Sequence, residues 1–367
     1  MGGLRIYPDR RDLLVEGLNA MFRLTPYQDF MRQEWDRLAL RQGTIFHTTG
    51  FRRILLESFP YQCGYQALVD EDNRLCGLLP LIVGRGLNLR RTGVALPFVN
   101  QLDICAETNE QVRHILDALP EQQEKLGLSA LEIRLKDQSV AADCWRDNQE
   151  NHTFILPLLA DDEQTLAQAS PGCRNHVRKT YKNDWFRVSF EQDRLPEFYE
   201  VYVRRMKQLG SPAPGLEFFQ RFFRYLPEMT TLLSVLEPKT DKVIGGMLLL
   251  KSPGDKTLYY PYGANLIEYN HQYLNNFMYW EAAKYGIRCG LQALDLGRSQ
   301  TGSGTYRYKS QWGAQAVPLH YLRCGPAAGQ SVANQRDKFQ GAIALWRRLP
   351  RIVTDPAGRW LIPYLLP

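Results

Sequence analysis

The sequence predicts an α/β fold of two similar halves with mixed sheets, followed by a helical tail. Three observations carry this. Helix-period and strand-period stretches alternate along the 367 residues. The same order of elements occurs twice, at an offset of about 165 residues. The hydrophobic content of 44% is enough to fill more than one core.

Residues 1–24 read as a lead-in. Thr25-Pro26 resembles an N-cap followed by proline at the first helical position, opening a helix over 27–41 with Phe30, Trp35 and Leu38 on one face and Gly43 at its end. A second helix, Phe51 to Phe59, follows Thr48-Thr49 and stops at Pro60. Strands Tyr65–Val69 and Leu75–Val83 flank the turn Asp70–Asn73 as a hairpin. A strand ending Leu96-Pro97-Phe98, a helix near 109–126 and the strand Ala130–Leu135 complete the first half. The polar stretch Ala141–Asn151 marks the boundary, giving domains of 25–145 and 150–324.

The second half repeats the landmarks. Gly210, ending a helix over Glu197–Leu209, stands 167 residues after Gly43, and Phe218–Pro227 answers Phe51–Pro60 at the same offset. Gly245 answers Gly77 at 168, Pro261-Tyr262 answers Pro97-Phe98 at 164, and Gly290–Asp295 answers Gly127–Glu132 at 163. Five landmarks in step argue for an internal duplication. Each half reads helix, helix, strand, strand, strand, helix, strand.

The net charge of +6 is a mild bias toward anionic partners, with no sign of DNA binding. No stretch approaches the length needed to span a bilayer, and the N-terminus lacks a signal-peptide core, so the chain reads as cytoplasmic. Seven scattered cysteines without a Cys-x-x-Cys pair suggest neither a disulfide framework nor a zinc site. No His-Glu-x-x-His, Gly-x-Ser-x-Gly or Walker pattern occurs, which disfavours the familiar metal, hydrolase and P-loop classes.

The most suggestive stretch is Ala293–Gly313. A short strand, Ala293–Leu296, breaks into a Gly/Ser-rich loop that leaves through alternating aromatics and bases, Tyr306-Arg307-Tyr308-Lys309. Glycines 297, 302 and 304 let the backbone turn sharply and approach a ligand. The bases and hydroxyls suit an anionic or acyl group. The same pattern also fits a Gly-containing hairpin with an aromatic core strand.

The element order is that of the GNAT acyltransferase fold, and two such halves resemble the FemABX type of aminoacyltransferase. The closest likeness is to FemAB-like proteins associated with PEP-CTERM/exosortase and exopolysaccharide systems. Leu78–Leu81, Arg174–Lys179, Leu294–Ser299 and Gly304–Gly313 carry the resemblance, which spans roughly 24–323.

The resemblance implies acyl or aminoacyl transfer to an amine or hydroxyl acceptor in envelope or exopolysaccharide synthesis, with no tightly bound cofactor and no metal. The donor would be a co-substrate: aminoacyl-tRNA, acyl-CoA or an acyl carrier. The acceptor would be a glycan, a peptide or a lipid-linked intermediate. A non-catalytic GNAT scaffold is the alternative outside enzymology. In ordinary GNAT enzymes a Gly-rich loop opens the helix after the fourth strand and binds the cofactor pyrophosphate. Here that position, Gly263–Asn270, is not glycine-rich, and neither is Asn100–Glu107. The glycines come one strand later, which argues for the aminoacyl-tRNA donor.

Carried over residue by residue, Tyr308-Lys309 matches the aromatic–Lys pair presented to the donor, the lysine offering a compact charge for a phosphate or oxyanion. Arg298, Ser299 and Gly302 would line the same loop. Arg174, Arg178 and Lys179 form a basic face, and Tyr262, Asn275 and His271 stand near the cleft side of their elements. Asp295 is a catalytic candidate whose pKa burial would raise, or a holder of the following loop. Asn100 and Asp103 occupy a region where related enzymes carry an acidic residue. Gln208–Gly215 departs from the peptidoglycan-directed members, which argues against a MurNAc-pentapeptide acceptor.

The run Gly325–Ser331 reads as a linker within a tail of 325–367. The amphipathic basic helix Phe339–Leu349 is expected to pack across the first half or to contact the inner membrane surface.

Overall fold

The computed structural model describes residues 21–136, 144–147, 151–328 and 339–365. The lead-in up to residue 20, most of the boundary Ala141–Asn151, and the linker from residue 329 onward lie outside the described residues.

The first half opens on a strand, β1 (Phe22–Pro26), where a helix start is expected. Thr25-Pro26 end this strand, whose place at the edge of its sheet tolerates a proline. A 3₁₀ turn, Asp29–Met31, precedes α1 (Arg32–Gln42). Phe30 falls in that turn rather than in the helix, and is 83% exposed while Trp35 and Leu38 are buried. Helix α2 (Thr49–Ser58) starts as expected, the Thr48 hydroxyl accepting from the Phe51 N–H at 3.3 Å.

After β2 (Gln62–Cys63), strands β3 (Gln66–Asp70) and β4 (Leu75–Leu79) form the expected hairpin. Pro80 interrupts what reads as one strand, and β5 (Ile82–Arg85) joins a different sheet. Then follow β6 (Arg91–Val94), β7 (Cys105–Ala106), α3 (Asn109–Lys125) and β8 (Ala130–Leu135).

The second half runs β9 (Asn151–Pro157), α4 (Asp162–Ala167), α5 (Pro171–Lys182), β10 (Arg187–Ser189), α6 (Leu195–Leu209) and α7 (Leu216–Tyr225). It continues with β11 (Thr230–Leu236), β12 (Val243–Ser252), β13 (Thr257–Asn265), α8 (Leu274–Arg288), β14 (Ala293–Gln300), α9 (Gly304–Ser310) and β15 (Gln315–Cys324).

The repeat seen in the sequence is physical. In each half one helix links a parallel strand pair: β6 with β8 through α3, and β13 with β14 through α8. The equivalent helices α2 and α7 pack on one another. A β-carbon on Gly50 would stand 2.6 Å from Leu226 Cδ2 and 2.8 Å from the Tyr225 carbonyl, so only glycine lets the two backbones come this close. The Phe51 and Phe222 rings meet edge to face at 6.0 Å.

The sequence gives no hint of how the halves are tied. The last strand of the second half crosses to the first. Strand β9, the first of the second half, pairs with β14 of the same half, whereas β15 pairs with β8 of the first half. Strands β9 and β15 also pair with each other. The result is one eleven-stranded sheet, ordered β10-β11-β12-β13-β14-β9-β15-β8-β6-β5-β2, beside a four-stranded sheet β1-β3-β4-β7.

The tail forms two helices, α10 (Gln340–Arg348) and α11 (Arg351–Leu361). Helix α10 packs on α6 of the second half, not across the first: Gly210 faces Ile343 closely, and Arg347 donates to the Leu209 carbonyl at 3.2 Å. The closing turn Ile362–Tyr364 packs on the first half, against β5.

Candidate active site

Strands β13 and β14 pair for three residues, ending at Tyr259 opposite Asp295, and then part. The parting is bridged by the Tyr260 phenol, which donates to the Leu296 carbonyl at 2.6 Å. On its other side β14 loses register with β9 between Asp295 and Arg298. This bulge needs Gly297 at φ +76°. Asp295 holds it in place: one carboxylate oxygen accepts from the Gly297 N–H at 2.6 Å and from the Thr153 hydroxyl at 2.7 Å. Burial raises the Asp295 pKa, against the pull of those two bonds.

The alternating run Tyr306–Lys309 is helical, contrary to its strand-like pattern. The Ser303 hydroxyl caps α9 by accepting from the Tyr306 N–H at 3.1 Å. The helix turns Lys309 back toward β14, where Nζ donates to the Gly297 carbonyl at 2.8 Å and the Arg298 carbonyl at 3.0 Å. An ammonium carries three N–H groups, so one is left for a ligand. Lys309 is only 6% exposed, and burial brings its pKa down to about 8 despite the nearby Asp295. Its neighbour Tyr308 points elsewhere, packing on Tyr279 in the second core at 5.6 Å between centroids.

Asn100 comes from the other half. A β-carbon on Gly297 would stand 3.7 Å from Asn100 Nδ2 and 3.8 Å from Lys309 Nζ, so the two donors flank one glycine. The Asn100 carbonyl accepts from Tyr321 OH at 3.0 Å, and that phenol accepts from Arg298 at 3.1 Å. Tyr321 therefore fastens the Arg298 segment of the second half to the Asn100 segment of the first. It was missed from sequence, where it is one more aromatic in an apolar strand. In β14 the Ser299 hydroxyl is buried without a hydrogen-bond partner among the described residues.

The structure thus brings together Asp295, Arg298, Ser299, Lys309 and Asn100. Gly302 is in the exposed turn before α9, its carbonyl accepting from Arg307. Tyr262 is 8% exposed among Phe218, Phe219 and Phe222, in the core rather than facing a cleft.

Arg174 and Arg178 share helix α5, but Arg174 is occupied with the carbonyls of Ala167 and Ala169. Arg178 and Lys179 are exposed, Lys179 lying 5.8 Å over the Tyr273 ring beside the half-buried Asn275. His271 is exposed. Asp103 is structural: its carboxylate accepts from the Lys136 N–H at 2.8 Å and its carbonyl bonds His47 at 2.8 Å. Among the described residues, no cluster of side chains has the make-up of a metal site.

Residues 172–310 match the acetyltransferase (GNAT) domain family, a span that runs from α5 through Lys309. Solved structures decide the rest of the architecture. The fold is a tandem GNAT. FemX superimposes with a TM-score of 0.64 at 14% identity, covering 82% of this chain and 96% of that one. The C-terminal DUF2156 domain of a candidate lysylphosphatidylglycerol synthetase from Agrobacterium fabrum gives 0.59 at 12%, covering 84% and 95%. A tandem GNAT protein from the clavulanic acid biosynthesis pathway gives 0.53 at 13%, covering 84% and 99%. No curated protein matches the chain in sequence. In tandem-GNAT terms, the matched second half supplies Asp295, Gly297 and Lys309, and the first half supplies Asn100.

Proposed function

We propose that this tandem GNAT protein is a FemAB-like acyltransferase, with halves of about 25–145 and 150–324 sharing a single reaction centre at Gly297. The observation that carries the reading is the pair of donors, Lys309 Nζ and Asn100 Nδ2, converging on one glycine from opposite halves. An acyl carbonyl seated there would be attacked by an acceptor amine or hydroxyl, and its oxygen would take up negative charge. The spare N–H of Lys309 and the Asn100 amide would stabilise that oxyanion. Collapse of the tetrahedral intermediate then breaks the bond to the donor's ester oxygen, which leaves as the donor hydroxyl with the proton lost by the acceptor. Asp295 acts as a positioning residue, because its carboxylate is spent on the bulge. Arg298 and the exposed Arg178 and Lys179 would receive anionic parts of the donor.

The donor we favour is an aminoacyl-tRNA. The Tyr260 phenol closes the gap where β13 and β14 part, and Gly263–Asn270 lacks the glycines of a pyrophosphate loop. A relative named for making an amino-acid ester of a lipid headgroup agrees with an aminoacyl group and a lipid-linked acceptor. Exopolysaccharide or PEP-CTERM export systems, and the cytoplasmic face of the membrane, are the setting this reading implies. Calorimetric titration with acetyl-CoA and with charged tRNA separates the donors. Binding of charged tRNA with no heat from acetyl-CoA is expected, and the reverse result rejects the aminoacyl reading.

A further inference from the structure

The tail helices leave an apolar face uncovered. Of the fourteen large hydrophobic side chains exposed among the described residues, six lie in 339–365: Phe339, Leu345, Ile352, Val353, Trp360 and Leu365. Such clustering is what marks an interaction surface, whereas scattered exposed leucines do not. On α11 the exposed positions 352, 353, 356, 359 and 360 share one side at helical spacing. Ile352 is 83% exposed and Trp360 69%. The opposite side is committed to the body: Thr354 and Gly358 are buried, and Gly358 meets Pro212 and Ala213.

Charge completes the pattern. Residues 339–365 contain four arginines (347, 348, 351 and 359) and one acid, Asp355. Arg351 bonds that acid at 3.1 Å and Glu200 at 2.8 Å, so the segment offers no free carboxylate. Arg348 and Arg359 are exposed at the margin of the apolar stripe.

We propose that this face docks on an anionic lipid bilayer. Trp360, Ile352, Val353 and Leu345 enter the boundary between headgroups and acyl chains, and the exposed Arg348 and Arg359 pair with lipid phosphates. The indole suits that depth, since its ring is apolar and its N–H finds polar partners at the headgroups. Neither tail helix, at 9 and 11 residues, is long enough to span, so both lie in the plane of the surface. Charge distinguishes a lipid surface from a second copy of this chain: a two-fold contact would set arginines against arginines with no carboxylate to offset them. Contacts of α10 with α6, and burial of Ile362 in the core, fix the face rigidly to the body.

The proposal is independent of the acyl-transfer reading and is tested without substrate. The full chain is sedimented with phosphatidylcholine vesicles, pure or carrying about 30% phosphatidylglycerol. Wild type should sediment with the anionic vesicles only. The double variant Ile352→Asp, Trp360→Ser should lose about tenfold or more in partitioning, with an unchanged melting curve because both sites are exposed. Arg348→Glu should weaken binding to the anionic vesicles. No sedimentation of wild type, or equal binding by the double variant, overturns the proposal. So does a dimer in light scattering that the same substitutions dissolve, since the face would then belong to a second copy.

Discussion

Glu132 and Asp295 occupy the same place in the two halves. Each ends the parallel ladder of its half, opposite Val94 and Tyr259 respectively, and they lie 163 residues apart. Their partners differ. Glu132, 1% exposed, is clamped by Arg134 at 2.8 Å and Arg323 at 2.6 Å, the latter delivered by strand β15 of the second half. Among the described residues no arginine bonds Asp295, which instead shapes the Gly297 bulge. The two halves therefore each hold a buried carboxylate, one locked in an ion cluster and the other beside Lys309.

The lock makes a stability prediction. Glu132→Ala strands two arginines in the interior, which should cost about 3–5 kcal/mol in urea unfolding. Burial alone would raise the Glu132 pKa, but Arg134 and Arg323 outweigh it and hold the carboxyl below its usual value of 4.5. A carboxylate depressed on folding contributes stability that is complete above its unfolded pKa and is lost as pH falls through the folded one. Wild type should thus lose stability on acidification below about pH 4.5, and the alanine variant should lose less over the same range.

The equivalence of the two carboxylates was legible in the sequence, because the offset of 163 aligns Gly290–Asp295 with Gly127–Glu132; their different partners were not. The helix start after Thr48 was legible too, since its hydroxyl satisfies a local N–H. What escaped is non-local. The crossing of β15 to β8, and its pairing with β9, are decided by contacts between strands some 160 residues apart or more, for which alternation carries no signal. The α9 helix escaped for a different reason: Tyr306-Arg307-Tyr308-Lys309 alternates like a strand, and only the Ser303 cap argues otherwise. Tyr321 could not be singled out because its role depends on Arg298 and Asn100 meeting it from both halves.

Lys309 should separate catalysis from folding by pH. Burial lowers its pKa from 10.5 to about 8, so the unfolded chain binds more protons than the folded one between those values. Stability contributed by this site therefore rises as pH goes from about 8 to 10.5, while an oxyanion-stabilising ammonium is lost over the same interval. Transfer should fall above about pH 8 as melting temperature holds or rises. Lys309→Ala should reduce kcat by about a hundredfold to a thousandfold with the fold retained, and should remove the alkaline limb. Near-wild-type turnover in the variant would leave Lys309 a structural residue.

Gly297→Ala tests the geometry itself. At φ +76° an alanine pays for a left-handed backbone, about 1–2 kcal/mol, though the new methyl would find only ordinary contacts. Its place is what matters: it would project between Asn100 Nδ2 and Lys309 Nζ, where the acyl oxygen is proposed to sit. A modest drop in melting temperature should accompany a loss in kcat/KM of about a hundredfold, since displacing a reacting group by an ångström carries that scale of penalty. Gly304→Ala is the matched control. It lies in the same segment, at the first position of α9, without positive φ and with nothing within 4 Å of the added carbon. That variant should keep both stability and turnover. Equal losses in the two variants would show that the loop tolerates no substitution and would remove the acyl oxygen from beside Gly297.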